Sequence, residues 1–192
     1  MTRGSAKPRP ARAMGAARSA RIAVAAALVC ALSMMGIQVG SVPWTLQTFA
    51  VALSGFALGS ADGAIAILVY LMIGATGVPV FGGMAAGISR FLGPTGGYLL
   101  AFPAMAAVCG AARGRGAALS AAAALLSLIP LYAAGAAQLS ISLEITYAEA
   151  LRIGAAPFAL KDAASALLAP YASRAISGAR AKAGAGDPRA GG

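Results

Sequence analysis

The 192-residue chain has no histidine, two cysteines, one tryptophan and five acidic residues. Without imidazole it lacks the commonest transition-metal ligand and the commonest general base. No Ser/His/Asp set or Cys/His pair can be assembled, and the carboxylates are spread too thinly along the chain to form a cluster. Catalysis, a resident metal and a cofactor are therefore not expected. Cys30 and Cys109 lie inside apolar runs and read as small buried hydrophobes, with nothing to support a disulfide. The run Gly93-Pro-Thr-Gly-Gly97 offers glycines for a phosphate cradle, but no Lys-Ser/Thr follows, so it is not a P-loop. Any ATP hydrolysis belongs to another subunit.

Apolar residues are abundant: 59% of the chain is hydrophobic, 10% is charged, and the mean hydropathy is +0.80. That composition lies outside ordinary soluble domains and predicts an integral membrane protein with one domain and short tails. The candidate spans are 22–37, 46–59, 63–80, 96–112, 117–141 and 157–176. Several fall short of the ~20 residues that a lone span needs, so we expect neighbours and re-entrant outer loops to shield them. Taken alone, the first run after its basic flank also fits the apolar part of a signal peptide; the five later runs make it one span among several. Residues 1–21 and 178–192 are basic, without apolar periodicity, and read as disordered tails around a membrane domain at 22–177.

The net charge of +10 first suggests nucleic acid, but its placement argues against that partner. Arg3, Lys7, Arg9, Arg12, Arg18 and Arg21 precede the first span, and Arg174, Arg180, Lys182 and Arg189 follow the last. With six spans and cytoplasmic termini, these ten plus Arg113 and Arg115 lie inside, leaving only Arg90, Arg152 and Lys161 outside. A five-span arrangement strands the C-terminal cluster outside. The expectation is an all-α, six-helix, multi-pass protein of the cell membrane with both termini cytoplasmic. Asp62, in a short turn before Gly63, is expected to cap the next helix.

Ala23, Ala27 and Ala31 repeat at four-residue intervals on the first span, which permits close approach of another helix. The spacing suits either internal packing or a docked partner. Asp162, opening the last span, is the most informative ionisable residue, because a carboxylate at membrane depth usually faces the bundle interior or a cavity. Its alternative is an interfacial pair with Lys161 or Arg152. At ~100° per residue Lys161, Asp162 and Ser165 share one arc of the helix. Val42-Pro-Trp-Thr-Leu-Gln-Thr-Phe-Ala-Val51 places Trp44, Thr45, Gln47 and Thr48 at the head of a short span, where they form either an interfacial belt and cap or the wall of a site.

The last motif is Gly77-Val-Pro-Val-Phe-Gly-Gly-Met-Ala-Ala-Gly-Ile-Ser-Arg-Phe-Leu-Gly-Pro-Thr-Gly-Gly-Tyr98. Lipid cannot satisfy free N–H and C=O groups, so irregular backbone at membrane depth must be buried in protein or line a polar cavity. Gly82, Gly83, Gly96 and Gly97 allow close backbone approach to a ligand. Arg90 and Tyr98 are a candidate cation and a candidate wall residue.

With the Val42–Val51 segment, this loop resembles the BioY family, the biotin-binding S components of energy-coupling-factor transporters. The resemblance is clearest over 42–103, recognisable over 157–170 and weak elsewhere. It implies an S-component-like bundle that takes up biotin with a transmembrane coupling (T) subunit and ATPase subunits, and whole-subunit reorientation in the bilayer. It also implies that the Ala23/Ala27/Ala31 face docks the T subunit and that the Trp44 loop folds over the pocket. In the family the last helix opens with Pro-Gly-Asp and carries a Lys three positions after the Asp. Here Lys161 replaces the Gly, Ser165 stands in place of the Lys, and Leu99 stands where some members carry a cation. These departures keep open an S component for another small vitamin. A non-transporting membrane assembly protein is the remaining alternative.

Overall fold

The computed structural model describes residues 11–39 and 42–185. Arg3, Lys7 and Arg9 of the basic N-terminal segment, and Arg189 at the other end, lie outside that range. Eight helices account for most of it: α1 (Ala11–Met34), α2 (Gln47–Leu58), α3 (Ser60–Ala75), α4 (Gly96–Ala111), α5 (Ala117–Leu126), α6 (Leu128–Leu143), α7 (Tyr147–Gly154) and α8 (Ala156–Ala185). Two short antiparallel strands, β1 (Gly36–Val39) and β2 (Val42–Thr45), form a hairpin with Ile37 opposite Trp44.

The helices differ from the expected spans in instructive ways. α1 starts well before residue 22 because the basic segment is also rich in alanine, the strongest helix former, so low apolarity does not end the helix. The same reason carries α8 past residue 176. The expected span at 117–141 is two helices joined at Ser127, three residues before Pro130, whose missing N–H and bulky ring disfavour a continuous helix there. The hairpin and α7 are elements outside the expected all-α list of spans. Two helical stretches, Gly15–Met34 and Ala117–Leu143, are long and apolar enough to cross a membrane, while α2, α3 and α4 are shorter apolar helices.

Helices α2, α3 and α4 pack through small residues. A side chain at Gly55 or Gly110 would run into backbone atoms of the neighbouring helix at 2.2 to 2.4 Å, so only glycine allows that spacing. Around this seam lie the buried Val29, Val51, Ile67, Tyr70 and Met105. Val24, Met72, Ile141 and Leu160 point outward, each more than two-thirds exposed, which leaves large apolar side chains on the outer face.

At one end of the bundle the α2–α3 turn and the α4–α5 turn come together with the start of α1 and the second half of α8. Arg18 on α1 donates from Nε and Nη2 to Asp62 Oδ1 at 2.8 and 2.6 Å. Asp62 therefore does not cap its helix, as the sequence led us to expect; it sits in the first turn of α3 and ties that helix to α1. The hairpin, the glycine-rich loop and α7 gather at the other end.

Candidate functional site

The glycine-rich loop is held by its own backbone. Phe81 and Ala85 exchange N–H···O bonds of 3.0 and 3.2 Å, closing a tight turn in which Gly83 takes φ +73° and Met84 φ +59°. Gly87 N–H then bonds to Gly74 carbonyl at 2.8 Å, and a single 3-10 turn, Ile88–Phe91, carries Arg90. The Phe81 ring fits against the bare Cα of Gly74 and meets Tyr70 and Phe91 edge to face at 5.5 and 5.7 Å. Gly82 packs on Pro43, so the loop and the hairpin touch.

Between loop, hairpin and the starts of α2, α4 and α8 lies a cavity of about 100 Å³. A single water requires roughly 10–15 Å³ by the same measure, so a small organic molecule fits. Its polar focus is Asp162, 5% exposed. Tyr132 on α6 donates its hydroxyl to Asp162 Oδ2 at 2.7 Å, and Lys161 Nζ makes a short charge-assisted contact with Oδ1. Lys161 Nζ also donates to the Thr45 carbonyl of β2 at 2.8 Å, which fastens the hairpin to α8. The carboxylate is thus buried and paired in the cavity wall, as a buried charge must be.

A second polar chain supports the floor. Gln47 donates from Nε2 to Tyr70 Oη at 2.6 Å, and Tyr70 Oη lies 2.9 Å from Ser33 Oγ, linking α2, α3 and α1. Tyr98 Oη donates to the Gly154 carbonyl at 2.9 Å. The ring is seated against Gly135 and Gly154, where any side chain would overlap it.

Of the residues expected at a site, Asp162, Lys161, Arg90, Tyr98, Thr45, Gln47, Gly82 and Gly83 line this one cavity. Four do not. Ser165 is buried one turn beyond Asp162, off the cavity wall. Trp44 stands outside with its ring tilted against Phe158, centroids 6.0 Å apart, and Phe158 is the wall residue. Gly96 and Gly97 are packing positions: a Cβ on Gly96 would strike Phe91 carbonyl at 2.0 Å, and one on Gly97 would strike Ala134 carbonyl at 2.1 Å. The sequence reading missed Tyr132 and Phe158. A lone phenol inside an apolar run needs a polar partner, and that requirement could have paired Tyr132 with Asp162. On α1, Ala23, Ala27 and Ala31 are exposed, whereas Ala26, Val29 and Ser33 form the face packed on the bundle.

A mostly helical molecule with apolar outer faces and a small polar cavity at one end has the architecture of a protein that holds a small molecule. The comparisons give the particular family. Residues 5–182 match the model of the BioY family. The "Probable biotin transporter BioY" of Pyrococcus horikoshii is 34% identical over 157 residues, 82% of this chain and 94% of that protein. "Biotin transporter BioY2" of Lactococcus lactis is 49% identical over 84 residues, 44% of this chain and 46% of that one. The crystal structure of an S-component for biotin from an ECF-type ABC transporter superposes with a TM-score of 0.80 at 25% identity, covering 88% of this chain and 95% of the other. The chain belongs to the BioY family.

Proposed function

We propose that this chain is the membrane subunit that binds biotin for uptake, working with a coupling subunit and ATPase subunits. The observation that carries the reading is the buried Asp162 carboxylate, held between Tyr132 and Lys161 in the wall of the cavity. Biotin's ureido ring presents two N–H donors, and a desolvated carboxylate is their strongest available acceptor. Its valerate carboxylate requires cations or N–H donors at the mouth, which Arg90 and Lys161 supply. Apolar contact with the bicyclic ring comes from Phe158, Phe102 and Leu131. Trp44 acts through Phe158, as an outer brace. We read Ser165 as tuning the same arc of α8 without touching ligand.

The membrane arrangement follows from the same reading. Helices α1, α2, α3, α4, the α5–α6 pair and α8 are the six spans, and α7 lies at the outer interface. The end that carries Arg18, Arg113, Arg115 and Arg174 faces the cytoplasm together with both termini, in keeping with the positive-inside rule. The cavity opens to the outside. The exposed Ala23/Ala27/Ala31 stripe is a flat surface on which a coupling-subunit helix can close, and transport then requires reorientation of the whole subunit.

Uptake of labelled biotin into cells producing this chain with its coupling and ATPase subunits tests the reading. Accumulation should be suppressed by excess unlabelled biotin and unaffected by other vitamins. Suppression by a different vitamin instead assigns the cavity to that molecule.

A further inference from the structure

At the end of the bundle away from Asp162, a second cavity of about 260 Å³ opens between the end of α2, the α4–α5 turn and the second half of α8. Phe56 and Pro170 give it apolar walls; Arg113, Arg174 and the hydroxyl of Ser173 give it donors, while Ser120 Oγ directs its proton to the Ala112 and Arg115 carbonyls at 3.5 Å. Among the described residues no carboxylate lines it. Both guanidiniums are positioned by backbone: Arg113 Nη1 donates to the Leu58 carbonyl at 2.9 Å and Arg174 Nη2 to the Arg115 carbonyl at 3.0 Å. Each contact uses one of five N–H donors, which leaves most of each fork available.

Three of the acids are held in ion pairs elsewhere. Asp62 is paired with Arg18, Glu149 with Arg152 and Asp162 with Lys161; among the described residues no carboxylate lies within 4 Å of Arg113 or Arg174. Two backbone-anchored guanidiniums and the Ser173 hydroxyl beside an apolar floor match an oxyanion that carries an apolar substituent. Guanidinium forks fit phosphate oxygens, and basic pockets between helices on the charged side of a membrane protein suit lipid head groups.

We propose that this second cavity binds a phosphate group, with the glycerol and upper acyl atoms of an anionic phospholipid resting on Phe56 and Pro170. Bound there, the phosphate joins the α4–α5 turn to α8 and fixes the arginine-rich end of the bundle. The site stands independently of whichever ligand occupies the cavity at Asp162. Inorganic phosphate presents the same chemistry, so the test separates the two sources.

The full chain is placed in nanodiscs of phosphatidylcholine, with or without phosphatidylglycerol, and separately in detergent with inorganic phosphate. Thermal unfolding and native mass spectrometry are then recorded. Phosphatidylglycerol should raise the Tm of the unsubstituted chain by about 2–4 °C and remain bound in the mass spectrum. The Arg113→Gln/Arg174→Gln variant keeps donors for the Leu58 and Arg115 carbonyls and should lose both effects. Arg174→Gln alone, which tests the site if the double variant does not fold, should lose most of the retained lipid. Equal protection by inorganic phosphate assigns the site to the free anion; protection by the lipid alone assigns it to the head group. Equal lipid protection and retention with and without the substitutions, or no protection by either probe, overturns the proposal.

Discussion

Tyr132 on α6 and Asp162 on α8 meet at 2.7 Å, hydroxyl to carboxylate, across the wall of the polar cavity. This contact occupies Oδ2 and leaves Oδ1 to Lys161, whose ammonium has a second acceptor in the Thr45 carbonyl. An incoming N–H donor can take the place of that ammonium without unmaking the Tyr132 bond.

Asp162→Asn should weaken biotin binding about 10- to 150-fold, because the amide oxygen stays with Tyr132, the NH2 faces the ligand N–H and a charge-assisted bond of about 1.5–3 kcal/mol is lost. Expression and thermal stability should change far less, because the amide keeps the shape of the carboxylate. Titration of the purified variant checks this, and unchanged affinity removes Asp162 from the site.

Tyr132→Phe keeps the ring and removes this hydroxyl contact. Biotin affinity should fall about 5- to 30-fold, equivalent to about 1–2 kcal/mol for a lost buried donor. The same titration tests it. An unaltered Kd means that Asp162 is oriented by Lys161 alone.

Lys161 joins Thr45 on the hairpin to Asp162 on α8. Lys161→Met should therefore speed biotin release by roughly tenfold or more, whereas Lys161→Gln, which retains an N–H donor for the Thr45 carbonyl, should lose less. Stopped-flow dissociation distinguishes the two; identical rates contradict the tether.

Gly154→Ala places a methyl 2.4 Å from Tyr98 Oη and 2.7 Å from Leu139 Cδ2. Overpacking of this kind costs about 1–3 kcal/mol, or roughly 2–12 °C in Tm. Combining it with Tyr98→Phe should restore part of the loss by removing the crowded oxygen. Thermal melts of the single and double variants decide the matter.

Ala27→Leu enlarges an exposed position on α1, so folding and biotin affinity should be unchanged. Uptake in the presence of the coupling subunits should fall about tenfold, as a clash of about 1–3 kcal/mol at a close-packed helix contact requires. Full uptake means that this stripe does not dock the coupling subunit.

The cavity was legible in the sequence where chemistry is concentrated in motifs. Asp162 stood out because an acid in an apolar run is rare, and the glycine-rich loop because irregular backbone demands burial. Tyr132 and Phe158 were harder to find, since a span of alanines and leucines gives no register by which one aromatic can be placed against another helix. Gly96 and Gly97 are the opposite case. They belong to the recognisable motif, yet their lack of a side chain serves helix packing against Phe91 and Ala134. The helix ends were misread because alanine supports helix in water and in lipid alike, so a drop in apolarity at residue 22 or 176 marks no boundary. Short strands such as β1 and β2 carry too few residues for a period-two signal to emerge.

Equilibrium titration of biotin against the purified, detergent-solubilised chain, with Asp162→Asn measured alongside, bears most directly on the binding role. Submicromolar affinity that collapses in the variant is the predicted result. Absence of binding tighter than micromolar, or equal affinity in both proteins, contradicts it.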